Sequence, residues 1–285
     1  MSIYEKVIVI GHGKIAGEVI EHVYKSQKKY NYSMVYIAHE KTSFKSAVGI
    51  CGRLHVPYYT IEDEKELTCY FSHAASRCLV ISAGNHYLFP EIVTENPNVT
   101  IINFHNALLP EFPGRNAPSW AIFENEKETG ITWHYVMRQV DAGDIIIQKK
   151  CRITPDIRAY ELTEKLMRLA YEGFSEKFDE IIENRAMVKR QILPVKRRIY
   201  KSTDIPGMCR FNLDDSPEYI YRLLRAVDYG KYNIFPQVTT QHQRKEIRIN
   251  RYRKVLSDAI EEKAGRLYLP LDEKYLLRLS WSEAG

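Results

Sequence analysis

The sequence contains no run of eighteen or more apolar residues, so nothing in it reads as a membrane-spanning helix. Cysteine is scarce: Cys51, Cys69, Cys78, Cys151 and Cys209 are scattered, odd in number and never in C-x-x-C spacing. That argues against a disulfide framework or a zinc site and predicts the reduced thiols of a cytoplasmic protein. No His, Cys or carboxylate cluster has metal-ligand spacing, so no metal is expected. Charge of one sign is in small excess, +5 over 285 residues, too little to mark the whole chain as a binder of polyanions. There is no internal repeat and no low-complexity tract. The opening "MSIYEKVIVIGHG" enters a strand-like run without a basic leader, which again predicts a cytoplasmic location.

What is present is ordinary globular composition, 45% hydrophobic and 27% charged. Over the first 105 residues apolar runs alternate with helical spacing. "KVIVIG", "MVYIA", "VPYYTI", "CLVISAG" and "VTIINFH" read as strands. Ile15, Val19, Ile20 and Val23 fall on one helical face, and a second helix is expected over roughly 63 to 77. The alternation predicts an α/β fold with a mostly parallel, Rossmann-like sheet covered on both faces. After a helical "APSWAIFENE" come two further strands, "ITWHYVM" and "DIIIQKKCRI". A long amphipathic helix carrying Leu166, Leu169, Ala170, Phe174, Phe178, Ile181 and Ile182 follows. "LPVKRRIYKSTDIPG" shifts composition and marks a boundary, dividing a catalytic domain, 1–195, from a small mixed α/β or β domain, 196–285. In the latter Ser216 and Pro217 open a helix that Gly230 ends, and "EIRINRY", "RLYLPL" and "YLLRLSW" are strands.

Two features admit competing readings. Gly11, Gly13 and Ala16 in "GHGKIAG" fit a dinucleotide phosphate loop, with Glu40 after the second strand, and keep an NAD-dependent oxidoreductase open. The same glycines would serve equally for a tight turn and close helix packing. The basic stretches "VKRRIYK" and "QRKEIRINRYRK" are a solvated face, or a contact for the phosphate of a nucleotide-linked molecule or of RNA; a non-catalytic RNA-binding protein is the rival they support.

The strongest chemical signal is Asn103, His105 and Asp141. Asn103 and His105 alternate at the end of an apolar strand, so both project to one side of the sheet. Asn supplies a neutral donor for a developing oxyanion, and His moves protons near neutral pH. Asp141 in "QVDAGDI" sits at a later turn, where it could orient the His and raise its pKa. No Ser or Cys adjoins His105, which favours direct attack by a substrate group over covalent catalysis.

The stretch "NFHNALLPEFPGRNAPSWAIFENEKETGITWHYVMRQVDAGDIII" resembles the folate-dependent formyltransferases: methionyl-tRNA, glycinamide ribonucleotide and amino-sugar N-formyltransferases. It has Asn-x-His, a Leu-Leu-Pro loop with a glycine, and Asp-x-Gly 38 positions beyond the Asn. The resemblance implies transfer of a formyl group from 10-formyltetrahydrofolate to a primary amine, with Asn103, His105 and Asp141 as the catalytic set. It implies that the pterin rests on backbone around Tyr87, Leu88 and Phe89 and around Gln139, Val140 and Asp141. The partners it implies are folate and a small amine, a nucleotide-linked amino sugar ahead of initiator tRNA or an amino acid or peptide; a homodimer stays open.

Overall fold

The computed structural model describes residues 2–39, 47–258, 260 and 263–284. In chain order its elements are β1 (Lys6–Gly11), α1 (Gly13–Tyr30), β2 (Ser33–Ala38), α2 (Val48–Leu54), β3 (Tyr58–Thr60), α3 (Glu64–Ser72), β4 (Cys78–Ala83), α4 (Glu91–Thr94), β5 (Val99–His105), α5 (Ala117–Phe123), β6 (Glu128–Tyr135), β7 (Ile145–Arg152), α6 (Ala159–Ile182), α7 (Pro217–Val227), β8 (Thr239–His242), β9 (Lys245–Leu256), β10 (Arg266–Pro270) and β11 (Tyr275–Glu283). The expected strands and long helices are all present, and α2, the short α4 and β8 add to those named above. The helix foreseen over 63–77 stops at Ser72, and α7 stops at Val227, three residues before Gly230. Among the described residues no helix is long and apolar enough to cross a membrane.

The chain divides into two compact units. The first comprises Met1–Arg115, Thr129–Arg152 and Glu164–Ile199. It holds a seven-stranded sheet of order β3-β2-β1-β4-β5-β6-β7. β3, β2, β1, β4 and β5 run parallel, and β6 is antiparallel to β5. Strands buried on both faces need continuous apolar sequence, and all six residues of β4 are buried. Trp133 on β6 is fully buried, and its indole N–H donates to the Ala170 carbonyl of α6 at 2.9 Å. The apolar face of α6 is Leu162, Leu166, Ala170, Phe174, Phe178, Ile181 and Ile182; Leu169 lies off it, half-buried.

Gly11 of the first turn has a packing explanation. A Cβ on Gly11 would lie 2.0 Å from the Ala83 carbonyl oxygen, so only glycine lets β1 approach β4 there. Glu40, the acidic partner expected of a dinucleotide loop, lies outside the described residues.

The second unit comprises Asn116–Glu128, Ile153–Thr163 and Tyr200–Gly285. A single cut after residue 195 therefore does not describe it, because two earlier segments pack with the C-terminal part. The buried Arg225 guanidinium donates to the Ile157 carbonyl at 3.0 Å, and the Tyr160 N–H donates to the Asp228 carbonyl at 3.0 Å. The Phe123 ring of α5 meets Tyr219 of α7. Ser216 caps α7 as expected, its hydroxyl accepting the Tyr219 N–H.

A four-stranded antiparallel sheet, β10-β11-β9-β8, completes this unit. Ile247, Ile249, Leu277 and Leu279 face inward with Ile220, Leu223 and Leu224 of α7. Strand alternation then sends the basic residues to the other face. Arg251 pairs with Ser280 and Ser280 with Arg266; Arg253 pairs with Arg278 and Arg278 with Tyr268.

Candidate active site

β4, β5 and β6 place Ser82, Asn103 and His134 on one rung, each directly opposite the next. Side chains paired across strands share a face, and here they form a hydrogen-bonded row. The Ser82 hydroxyl donates to Asn103 Oδ1 at 2.6 Å, and Asn103 Nδ2 lies 3.2 Å from His134 Nε2. His134 Nδ1 is 2.8 Å from the Tyr135 carbonyl, which can only accept. Nδ1 therefore carries a proton, and in the Nδ1–H tautomer Nε2 receives the Asn103 N–H.

The next inward-facing residue of β5 is His105, opposite Thr132. Its Nε2 donates to the Phe112 carbonyl at 2.9 Å, leaving Nδ1 3.7 Å from Asp141 Oδ2. Asp141 in turn accepts the Gly114 N–H at 2.7 Å and has its other oxygen 3.5 Å from His134 Nε2. The expected trio is thus brought together in the first unit, and the proline-rich loop does the joining. Phe112 and Gly114 of that loop bind His105 and Asp141 respectively. The loop is itself held: Thr132 Oγ1 donates to the Ala107 carbonyl at 2.7 Å and accepts the Leu109 N–H at 3.0 Å, while Gln148 Nε2 donates to the Leu109 carbonyl at 2.8 Å.

Burial dominates the electrostatics. It pushes the His105 imidazole below its ordinary value, and Asp141 only partly offsets this. Asp141 does pull the pKa upward, as the sequence suggested, but desolvation wins: His105 stands neutral at pH 7, with Nδ1 free to take a proton. For Asp141, burial again opposes the charge; the His105 and His134 imidazoles and the Gly114 N–H outweigh it and hold the carboxyl well below the usual carboxylate range.

The turn carrying Asp141 is strained and supported. Asp141 has φ +49°, in the left-handed region. A Cβ on Gly143 would lie 1.8 Å from the Tyr135 carbonyl oxygen, so the glycine of Asp-x-Gly is there for close backbone approach. Gln191 Nε2 donates to the Gly143 carbonyl at 2.6 Å, and Arg197 donates to the carbonyls of Val140 and Asp141, each at 2.6 Å. Ser82, His134, Gln191 and Arg197 were not singled out by sequence reasoning. Ser82 and His134 needed the strand register; Arg197 lies in the stretch read as a domain boundary, and Gln191 just before it.

The residues expected to meet a pterin have varied surroundings. Tyr87 is buried, its hydroxyl 2.8 Å from Thr68 Oγ1 and its ring against Phe71 and Phe89. Leu88 is 68% exposed, which leaves this side chain, rather than that of Tyr87, for an apolar ligand. Gln139 is exposed and Val140 half-buried. Arg138 Nη1 and Glu91 Oε1, 2.7 Å apart, join the loop after β6 to the start of α4. Among the described residues no group of three or more His, Cys, Asp or Glu could hold a metal ion.

Comparison with known proteins places this geometry. The methionyl-tRNA formyltransferase of Staphylococcus epidermidis is 33% identical over 138 residues, 47% of this chain and 44% of that protein. That of Chlorobium chlorochromatii is 27% identical over 174 residues, 61% of this chain and 55% of that protein. The chain spans about half the length of the curated relatives it matches. The same fold is found in an N-formyltransferase from Helicobacter canadensis, crystallised with folinic acid and dTDP-3-aminofucose. It has TM-score 0.76 at 17% identity, with 98% of this chain and 100% of that one covered. The family model described as formyl transferase matches residues 5–178, which include every residue of the Asn103, His105 and Asp141 constellation: this chain belongs to the formyl transferase family.

Proposed function

We propose that this protein transfers a formyl group from 10-formyltetrahydrofolate to a primary amine, that of a nucleotide-linked amino sugar. The observation that carries this is a neutral His105 whose free nitrogen faces an ionised Asp141, one residue pair along β5 from an Asn103 amide. The acceptor amine attacks the formyl carbon. Asn103 donates an N–H to the formyl oxygen as it gains negative charge. His105 Nδ1 takes the proton that the attacking nitrogen loses, and Asp141 stabilises the resulting imidazolium. His105 then returns that proton to the folate nitrogen as the carbon–nitrogen bond breaks. The sugar acceptor is supported by the Helicobacter canadensis enzyme, which was crystallised with folinic acid and dTDP-3-aminofucose and whose fold matches nearly the whole chain.

A second reading has its own observation. The face of the C-terminal sheet bearing Arg251, Arg253, Arg266 and Arg278 is the kind of basic surface that neutralises phosphates, and the curated relatives are methionyl-tRNA formyltransferases. An acceptor screen that follows release of tetrahydrofolate decides between the two. Turnover with a dTDP-amino sugar and none with methionyl-tRNA is the expected result. Formylation of methionyl-tRNA, with binding that weakens steeply as salt rises, would replace the sugar reading.

A further inference from the structure

We infer that Ser82 is a positioning residue for formyl transfer: its hydroxyl sets which end of the Asn103 amide faces the reacting carbon. The inference rests on the proposed reaction and adds a residue outside the Asn103, His105 and Asp141 set.

An asparagine amide has two ends of nearly identical shape and opposite polarity, and only the NH2 end can hold an oxyanion. A rotation of half a turn about the last side-chain bond exchanges them. At Asn103 that rotation is opposed from both sides. Ser82 is 1% exposed, and its hydroxyl donates to Asn103 Oδ1 at 2.6 Å. On the far side, His134 is 1% exposed and has its Nδ1 proton engaged by the Tyr135 carbonyl, and in the Nδ1–H tautomer Nε2 accepts from Asn103 Nδ2 at 3.2 Å. A flipped amide would set Oδ1 against the Nε2 lone pair of that tautomer and turn the Ser82 hydroxyl from donor to acceptor, leaving its own hydrogen without the Asn103 oxygen. Both changes leave buried polar groups mismatched, which is costly. The row from Ser82 through Asn103 and His134 to Tyr135 therefore has one consistent direction. In that direction Asn103 has spent one N–H on His134 and presents the second to substrate.

The register makes Ser82 the only row member that reaches Oδ1. It lies directly opposite Asn103 on the parallel neighbour β4, and its other neighbour across the sheet is the apolar Ile10. Alanine at position 82 keeps the strand and the volume but removes the donor to Oδ1, so one of the two restraints on the amide is lost and the oxyanion meets a carbonyl oxygen more of the time.

The test is a double-mutant cycle on kcat between Ser82→Ala and Asn103→Ala, with Ser82→Thr as the hydroxyl-retaining control. Ser82→Ala is expected to lower kcat about ten-fold, the worth of one oriented hydrogen bond, while KM for both substrates stays within about two-fold. Ser82→Thr restores most of the rate. In the Asn103→Ala background Ser82→Ala has no further effect. A wild-type rate in Ser82→Ala, or a loss that persists without Asn103, overturns the proposal. Should the wild-type protein transfer no formyl group, the reaction reading fails, and the Asn103 side-chain NH2 resonances, assigned by their loss in Asn103→Ala, decide the positioning role. One sharp pair that broadens or moves in Ser82→Ala supports it; an unchanged pair ends it.

Discussion

Arg197 donates one guanidinium N–H to the carbonyl of Asp141 at 2.6 Å and another to that of Val140 at the same distance. A stretch that reads as a linker thus grips the backbone of the turn carrying the carboxylate. Arg197 is itself desolvated there, which lowers its pKa, and the neighbouring Asp141 works the other way. Arg197→Ala is expected to lower kcat/KM about ten-fold, since charge-assisted bonds are the strong ones, and Arg197→Lys to recover only part because it cannot reproduce the fork. Steady-state kinetics with folding checked by circular dichroism measures this; unchanged kinetics in Arg197→Ala would mean that the turn holds itself.

Removing Asn103, His105 or the charge of Asp141 tests the chemistry directly. Asn103→Ala, His105→Ala and Asp141→Asn should each reduce kcat by about 100-fold or more in a folded protein. Near-normal formyl transfer by His105→Ala would discard the proton-transfer role given to it.

The pH dependence has a definite sign. Burial lowers the His105 pKa, so the proton-accepting form is already present at neutral pH. kcat should fall on the acid side with a midpoint below about 6.5, the ordinary imidazole value, and be flat from about pH 7.5 upward. Following kcat at saturating amine keeps the free amine's own titration out of the profile. A limb centred above pH 7 would contradict the burial argument.

Stability should also fall with acid, for a related reason elsewhere in the first unit. His12 and His86 stack edge to face at 4.7 Å, and burial lowers their pKa values to about 3 and about 4. Both are depressed relative to the unfolded chain, which binds protons first as pH drops below about 6.5. Their contribution to stability is therefore intact above that value and declines through the window down to about 4 and about 3. Melting temperature measured from pH 7.5 to 4.5 should fall, and less so in His12→Gln or His86→Gln.

Gly143→Ala offers a structural check on the turn. The new Cβ would collide with the Tyr135 carbonyl, which is backbone and cannot swing aside. A lowered melting temperature together with lost activity is expected, because the clash and Asp141 share one turn. Wild-type values for both would show that the turn relaxes freely.

The sequence by itself determined the strand and helix alternation, the apolar face of α6, the Ser216 cap and the trio Asn103, His105 and Asp141. Those follow from local periodicity, from cap and turn chemistry, and from a spacing pattern that resembles that of the folate-dependent formyltransferases. Only the tertiary structure decided what surrounds the trio. Ser82 and His134 sit 21 residues before and 31 residues after Asn103, and what makes them its partners is the pairing of β4 and β6 with β5. The protonation of His105 likewise depends on desolvation, a property of the packed interior that no stretch of sequence displays. The same holds for residues 116–128 and 153–163, which join the C-terminal unit through contacts such as Arg225 to Ile157, 68 positions apart.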